Sequence, residues 1–414
     1  MRTDLFSLSI DRKSTYGRFL SKRLEFEKFV TFNGAKKLPI YNWFYYKEAF
    51  SPQLIWNYLK ELKIPKRSIV LDPFCGAGTA LLACNQIGYN AVGFDILPLS
   101  VFVSNTKLQR DYDMNLLREK IKEITSYKFG ETELEWTDPG IVSIKKAFSR
   151  YARNDLLFFK EKIMQIEDEK IRSFMFLALL SIAVRASNVK RDGGVLKIKK
   201  KRNLAPVRYL FKNKLKRMYK DLKNSEKISE GIDAYAQVGD ARTLHLESEF
   251  GFCITSPPYL NWIDYTKLYA IELALFEDSY SEIHKLRRQS FRSHVGAEYR
   301  LKKKLKSDSV MKIMEKLDTR KVKKPEIVQG YFEDLYLSIE SIHNALEDGG
   351  KSAIVIGNAC LPGITVDSDI ILAELAEKIG FTLKRIDVAK VRWCDVHGIE
   401  KERPVRESVV ILEK

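Results

Sequence analysis

Short runs of consecutive apolar residues, each followed by a stretch with helical spacing, recur along the chain. Residues 68–72 form such a run and end in Asp-Pro, as a buried parallel strand does, and residues 76–87 then have helical spacing. Residues 90–95 predict a second strand, with a helix from Pro98 onward. A strand, a helix and another strand in this order predict a βαβ unit within a parallel sheet.

The same patterning returns in the second half of the chain. After a long, largely helical section from about residue 107 to 230, strand-like runs occur at 234–238, 251–255 and 352–357. A helix at Ser368–Ile379 and strands at 382–391 and 408–412 complete the pattern. We therefore expect one doubly wound α/β domain with insertions. Its expected parts are an N-terminal extension (1–40), the sheet domain (41–105 and 234–414), a helical basic insertion (106–233) and a second basic insertion (277–330).

Composition adds a strong charge asymmetry. The 414 residues include 71 Lys and Arg against 54 Asp and Glu, a formal charge of +17, and 45% are hydrophobic, which excludes disorder throughout. Two stretches, residues 190–223 and 285–324, hold most of the excess. They indicate a localised footprint for a polyanion such as nucleic acid, although solvated helical faces would have the same composition. The candidate contacts are Lys199, Lys200, Lys201, Arg202, Lys302, Lys303 and Lys304.

Other patterns narrow the function classes. The first 22 residues lack the apolar run of a signal peptide or membrane span, so we expect a cytoplasmic protein with no membrane partner. The five cysteines and five histidines are scattered and form no ligand pattern typical of zinc. We therefore predict no metal site.

The turn after the first strand is a candidate ligand loop. Its sequence is Asp-Pro-Phe-Cys-Gly-Ala-Gly-Thr, residues 72–79. Glycines allow the backbone to approach a ligand, and N–H groups of the first helical turn point toward it. The loop lacks the third glycine of the dinucleotide fingerprint and the Gly-Lys-Ser/Thr of a P-loop. Asp95, at the end of the next strand, can accept hydrogen bonds from ribose hydroxyls or cap the following helix.

A second candidate turn follows the strand at 251–255. It consists of Ser256, Pro257, Pro258 and Tyr259, at the carboxyl end of a strand, where open α/β sheets bind ligands. The two prolines hold the backbone rigid and remove N–H donors. A serine hydroxyl beside a fixed carbonyl can hold an exocyclic amine, and a tyrosine can stack on a planar base. A proline-rich turn that merely ends the strand is the simpler explanation for this turn taken alone.

Taken together, the two turns resemble those of the S-adenosylmethionine-dependent amino-group DNA methyltransferases. Ser256 before Pro-Pro-Tyr resembles the N4-cytosine branch of that family. Residues 46–52 resemble the segment that contacts the methionine end of the cofactor, and residues 238–242 resemble the motif whose Asp holds the adenine amino group. The resemblance covers residues 41–105 and 234–275 well, residues 350–412 loosely, and neither basic insertion.

The resemblance implies a fold and a set of site residues. The fold is a class I methyltransferase-like, doubly wound seven-stranded sheet with an antiparallel last strand. Ser256, Pro257, Pro258 and Tyr259 would form the target-amine site. Asp95 would bind the ribose and Asp240 the adenine N6. The full set of cofactor contacts implied is Phe50, Asp72, Pro73, Phe74, Gly76, Gly78, Thr79, Asp95, Ile96, Asp240 and Ala241.

The expected activity is therefore methylation of cytosine N4 in double-stranded DNA, with the base flipped out of the duplex and S-adenosylmethionine as cofactor. We expect a restriction–modification role in a prokaryotic, nucleoid-associated setting, with any endonuclease on a separate polypeptide. Attack on cytosine C5 would need a cysteine nucleophile, usually in a Pro-Cys pair, and the chain has none. N6-adenine methylation, RNA base methylation and a non-catalytic DNA-binding module are the alternatives.

Overall fold

The computed structural model describes residues 5–9, 15–46, 48–128, 130–136, 139–200, 203–225, 231–247, 249–277, 279–298, 305, 307–322, 324–362, 364–393 and 404–414. The strands in these ranges are β1 (Leu20–Lys22), β2 (Ile69–Asp72), β3 (Ala91–Asp95), β4 (Val189–Asp192), β5 (Val195–Ile198), β6 (Ala234–Val238), β7 (Phe250–Thr255), β8 (Leu346–Gly357), β9 (Ala359–Leu361), β10 (Ile364–Val366), β11 (Thr382–Arg392) and β12 (Val405–Glu413).

The helices surround these strands in sequence and in space. They are α1 (Leu5–Ser9), α2 (Pro52–Glu61), α3 (Thr79–Gln86), α4 (Pro98–Leu108), α5 (Met114–Ser126), α6 (Ile144–Ala147), α7 (Arg150–Met164), α8 (Glu169–Ala183), α9 (Val207–Asn224), α10 (Tyr265–Leu268), α11 (Ala270–Phe276), α12 (Tyr280–Gln289), α13 (Asp308–Lys316), α14 (Glu326–Ala345) and α15 (Ser368–Ile379). Short 3-10 turns occupy Thr15–Phe19, Leu24–Phe26, Phe32–Gly34 and Tyr41–Trp43.

The main sheet confirms the predicted fold class. Among the described strands its order is β6-β3-β2-β7-β8-β12-β11-β1. Neighbours pair in parallel except β12, which runs antiparallel to both β8 and β11. The expectation of seven strands needs one correction: β1, from the N-terminal extension, pairs in parallel with β11 and adds an eighth. It covers an edge that would otherwise expose unpaired backbone groups.

Apolar cores on both faces of the sheet make the architecture three-layered. Side chains alternate between the cores along each central strand, because successive residues of a strand point to opposite faces. Phe252 and Ile254 of β7 join the core with α2, α3, α4 and α8, whereas Cys253 joins the core with α14 and α15. All residues of β7 are buried, which explains its unbroken apolar sequence.

The section between residues 106 and 233 is less uniformly helical than expected. It contains α5–α9, but also the antiparallel hairpin β4–β5, in which Asp192 pairs with Val195. Gly193 has a φ of 61°, the conformation that two-residue hairpin turns require. The predicted end of the first segment of the sheet domain, residue 105, falls inside α4. The predicted end of the second basic insertion, residue 330, falls inside α14.

No helix within the described ranges is both long and apolar enough to cross a membrane.

Candidate active site

The glycine turn is shaped by close backbone approaches. Gly76 and Gly78 have φ angles of 51° and 73°. A Cβ on Gly78 would lie 2.8 Å from the Ser104 side chain, and one on Gly76 would lie 3.1 Å from the Tyr46 ring, so both positions need glycine. Helix α3 therefore begins at Thr79, later than the predicted start at residue 76.

Helix α4 holds this turn from behind. Ser104 Oγ donates to the carbonyl of Gly76 at 3.0 Å, and Lys107 Nζ donates to the carbonyl of Ala77 at 3.0 Å. Lys107 is only 1% exposed, and burial lowers its pKa to about 7. The conformation of the turn is thus fixed by contacts that the fold supplies.

The two predicted turns meet at one edge of the sheet. Strands β2 and β7 are parallel neighbours, with Leu71 opposite Cys253. Just beyond them, Thr255 Oγ1 donates to Asp72 Oδ1 at 2.6 Å in a buried hydrogen bond. Burial raises the pKa of Asp72 to about 7 in spite of this bond and one from the Phe74 N–H.

A cavity with about 950 Å³ of empty space, part of it open to solvent, lies between the two turns. Twelve of the predicted site residues line it: Phe50, Asp72, Pro73, Phe74, Gly76, Thr79, Asp95, Ile96, Asp240, Ala241, Ser256 and Pro258. The structure thus brings the glycine turn, two further strand ends and the Ser-Pro-Pro turn to a single cleft.

Three of the predicted site residues do not line the cavity. Gly78 and Pro257 are buried. The Tyr259 ring packs on Gly357, where an added Cβ would lie 2.7 Å from it, and its hydroxyl donates to Glu407 Oε1 at 3.1 Å. Tyr259 is therefore linked to β8 and β12, the strands on the other side of β7.

Asp95 joins the cavity to the glycine turn. One carboxylate oxygen accepts from the Gly76 N–H at 3.0 Å and the other from the Leu97 N–H at 2.9 Å. Burial raises the Asp95 pKa to about 6. Asp95 therefore also stabilises the start of α4 through the Leu97 bond, as the alternative prediction of a helix cap expected. Its side chain still lines the cavity.

Asp240 is oriented by a buried arginine that the sequence analysis did not identify. Arg242 Nε and Nη2 contact the two Asp240 carboxylate oxygens at 2.8 and 2.6 Å, and Nη1 contacts Asp334 at 3.0 Å. Arg242 is 4% exposed. The Asp240 side chain stays 24% exposed, so it can still accept hydrogen bonds from a ligand.

The second basic stretch contributes a wall of the cavity, which was not expected. The lining residues from it are Ser290, Phe291, Ser293 and His294. Buried ion pairs hold this segment, since Arg292 contacts Asp334 at 2.7 Å and Arg287 contacts Asp264 at 2.7 Å. Part of the positive charge in this stretch is therefore structural and unavailable to a polyanion.

His294 has a defined hydrogen-bonding role in that wall. Its Nδ1 accepts from the Gly296 N–H at 3.1 Å, so its Nε2 carries the proton that faces Ser290 Oγ at 2.8 Å. Burial lowers the His294 pKa, which favours the neutral ring. No spacing in the sequence signalled this arrangement.

Aromatic rings form the opposite wall. Tyr46 lines the cavity and stacks on Tyr269 at 4.9 Å and on Tyr265 at 6.4 Å between ring centres. The sequence motifs include Tyr46 only as part of the segment 46–52, and they do not identify Tyr265.

Of the predicted nucleic-acid contacts, Lys199 and Lys200 are exposed at the end of β5. Lys201, Arg202, Lys302, Lys303 and Lys304 lie outside the described residues. Within the described ranges, no group of three or more His, Cys, Asp or Glu side chains could hold a metal ion.

Comparison with known proteins agrees with the sequence motifs. Residues 15–101 match a family model described as DNA methylase, of the N6/N4 type. The chain is 28% identical to the Type II methyltransferase M.BsoBI of Geobacillus stearothermophilus, over 94% of this chain and 88% of that protein. These matches support an amino-group DNA methyltransferase.

A further sequence relative and a solved structure are also similar to this chain. The Type II methyltransferase M.AvaI of a Nostoc strain is 27% identical over 94% of this chain and 89% of its own. Among solved structures, an S-adenosylmethionine-dependent methyltransferase from Methanosarcina mazei covers 87% of this chain and 96% of its own, with 10% identity and a TM-score of 0.30. We assign the fold from the strand order and not from this weak similarity.

The residues of the cavity fit the family's cofactor, S-adenosylmethionine. Gly76 brings backbone without a side chain to the cavity lining, and Asp95 and Asp240 are carboxylates suited to hydroxyl and amine donors. The apolar rings of Phe50 and Phe74 suit the uncharged parts of the molecule.

Proposed function

We propose that the protein transfers a methyl group from S-adenosylmethionine to the exocyclic N4 amine of cytosine in double-stranded DNA. The target base leaves the duplex to reach the cavity, because an amine inside a stacked base pair is inaccessible. The observation that carries the proposal is the Thr255–Asp72 hydrogen bond, which joins the Ser-Pro-Pro-Tyr turn directly to the glycine turn.

The chemistry follows from the target. The N4 lone pair of cytosine is delocalised into the ring, so the amine is a poor nucleophile. Ser256 Oγ and the Pro257 carbonyl accept the two amine hydrogens, which favours a pyramidal nitrogen and directs its lone pair away from the ring. S-adenosylmethionine, when bound, supplies an electrophilic methyl group on a positively charged sulfur.

The protein's part in the reaction is positioning and electrostatics. Thr255 cannot compete for the target amine, because its hydroxyl is held by Asp72. Prolines 257 and 258 offer no N–H donors to the amine, so the acceptors around it are undisturbed. Tyr259, packed beside Gly357 and bonded to Glu407 behind the cavity lining, holds the turn in place and does not stack on the base from this position.

Ser256 supports cytosine over adenine as the target. It stands where the adenine-specific branch of the family carries Asp or Asn, by the resemblance of the motif. Nucleoside analysis of duplex DNA methylated by the purified protein tests the assignment. N4-methylcytosine is the expected product. N6-methyladenine would contradict the choice of base, and methylation of RNA in preference to duplex DNA would contradict the choice of polymer.

We further propose a role in restriction–modification, in the cytoplasm of a prokaryotic cell, with the nuclease on a separate polypeptide. Support comes from the names of M.BsoBI and M.AvaI, which are Type II methyltransferases similar to this chain over nearly its whole length. Sequencing DNA from cells that express the protein gives the recognition site. Methylation without any sequence preference would contradict a restriction–modification role.

A further inference from the structure

The β4–β5 hairpin has one face against the sheet domain and one face in solvent. The inner face is anchored by Arg191, which donates to the Leu268 carbonyl at 3.4 Å and forms an ion pair with Glu272. Its guanidinium also lies 4.9 Å from the ring centre of Tyr269, which stacks on the cavity residue Tyr46. The hairpin is therefore rigidly connected to the wall of the active site.

The tip of the hairpin lies beside the loop that follows the Ser-Pro-Pro-Tyr turn. A Cβ on Gly194 would lie 2.8 Å from Ile263 Cγ1, so the tip approaches as closely as a glycine allows. Ile263 lies two residues before Tyr265, which lines the cavity together with Ser256. The tip is thus next to the chain segment that surrounds the target-amine site.

The solvent-facing side combines positive charge with an exposed apolar tip. Cross-strand pairing places Lys190 opposite Lys197 and Asp192 opposite Val195 on this side. Val195, directly after the turn, is 48% exposed. Asp192 is paired with Lys197 at 2.8 Å, and the exposed Lys199 and Lys200 follow β5. This face therefore carries a net positive charge.

An apolar tip on a cationic two-stranded ribbon is complementary to a nucleic-acid duplex. Phosphates form the outside of a duplex and stacked bases its inside, and apolar wedges that separate base steps are a common device of DNA-binding proteins. A surface that binds a protein of ordinary composition would not need several lysines around a single valine. Duplex DNA is the occupant that this surface fits.

We propose that the hairpin enters the duplex beside the target base, with Val195 packed against the neighbouring bases in the space that the target base vacates. The surrounding lysines contact phosphates on either side. This inference rests on the proposed function, in which the base leaves the stack. Val195 acts as a positioning residue: it replaces stacking that the DNA loses and so favours the extruded state of the base.

The test compares Val195→Ser with Ile198→Ser. Ile198 is a matched control, because it is 44% exposed and belongs to the same hairpin, but lies at the end distant from the tip and on the opposite face. Both substitutions are at exposed positions, so both variants should fold. Each is assayed under single-turnover conditions on a duplex that contains the site methylated by the wild type, and on the same duplex with the target base mispaired.

We expect Val195→Ser to slow methylation of the paired duplex by about tenfold or more. The methylation rate on the mispaired duplex should change by less than about threefold, because mispairing removes much of the cost of extrusion. Ile198→Ser should change neither methylation rate by more than about threefold. A fluorescent 2-aminopurine beside the target should brighten less with Val195→Ser than with the wild type. Affinity for S-adenosylmethionine should stay unchanged in both variants.

Two results would overturn the inference. One is an unchanged rate for Val195→Ser on the paired duplex, and the other is an equal loss on paired and mispaired duplexes. Either leaves the proposed function intact, since the wild type still methylates DNA. A wild-type protein that binds S-adenosylmethionine but methylates no DNA would instead overturn the proposed function, and the hairpin proposal with it.

Discussion

The hydroxyl of Thr255 donates to the carboxylate of Asp72 across 2.6 Å, joining two strand ends that are 183 residues apart in the chain. Both side chains are buried. The bond helps to fix the Ser-Pro-Pro-Tyr turn relative to the glycine turn, and in the proposed function these two turns hold the target amine and the methyl donor.

Thr255→Val should therefore weaken both folding and activity. The variant keeps the shape of the side chain but leaves the buried Asp72 with one donor fewer, at a cost of about 1–3 kcal/mol in the free energy of unfolding. Urea denaturation measures this cost, and single-turnover methylation should slow in parallel. Thr255→Ser retains the hydroxyl, so a loss of activity as large as that of the valine variant would argue against the role of the hydrogen bond.

Ser256→Ala should reduce the rate of methyl transfer by about a hundredfold, because one acceptor of the target amine is lost. Affinity for S-adenosylmethionine, measured by calorimetry, should stay within about twofold. Ser293→Ala is the matched control: Ser293 lines the same cavity, but from the segment after α12. Equal rate losses in the two variants would show that Ser256 has no special part in transfer.

Because of the buried Asp72, the free energy of unfolding should fall as the pH rises. The Asp72 pKa is about 7 in the folded protein against an ordinary value of 3.8, so the folded state binds the proton more tightly than the unfolded state. The unfolding free energy therefore decreases as the pH rises between these values and levels off above about 7. Asp72→Asn lacks this contribution.

Urea denaturation of wild type and Asp72→Asn at pH 5 and pH 8 checks the sign. The wild type should lose roughly 2–4 kcal/mol more than the variant across this interval, because the contributions of other buried groups such as Asp95 and Lys107 are common to both proteins. Parallel pH profiles for the two proteins would contradict the raised pKa of Asp72.

Arg242→Met should weaken cofactor binding through Asp240. Without the guanidinium, the Asp240 carboxylate loses its fixed orientation, and the fully buried Asp334 loses one of the two arginines that contact it, Arg242 and Arg292. We expect about tenfold weaker binding of S-adenosylmethionine and a destabilisation of about 3 kcal/mol. Arg320→Met, at an ion pair whose arginine side chain is 90% exposed, should change neither quantity.

Replacing Lys199, Lys200, Lys201 and Arg202 together by alanine should weaken DNA binding and flatten its dependence on salt. Each lost phosphate contact reduces the slope of log K against log salt by about 0.9. Affinity for S-adenosylmethionine should not change. Lys378, on α15, and Lys384, at the start of β11, are suitable controls because both lie outside the two basic stretches. Unchanged DNA affinity in the fourfold variant would exclude a footprint at these residues.

Local patterning was sufficient to predict much of the fold. Helix α15 has the predicted bounds, and β2, β3, β6 and β7 lie within a residue of their predicted positions. For the central strands β2 and β7 the reason is that a strand buried on both faces must be continuously apolar. The β4–β5 hairpin was missed although Asp-Gly-Gly is a typical turn signal. Its lysine-rich strands do not show the apolar alternation by which the other strands were recognised.

The sequence by itself determined the two turns and their chemistry, since each is a contiguous segment whose glycines and prolines restrict the backbone locally. Only the tertiary structure decided which other residues join them. Ser290 and His294 reach the cavity because α12 and the ion pair between Arg287 and Asp264 place them there, and Arg242 meets Asp240 and Asp334 only in the folded chain. Such contacts depend on distances between segments remote in sequence, which no local pattern encodes.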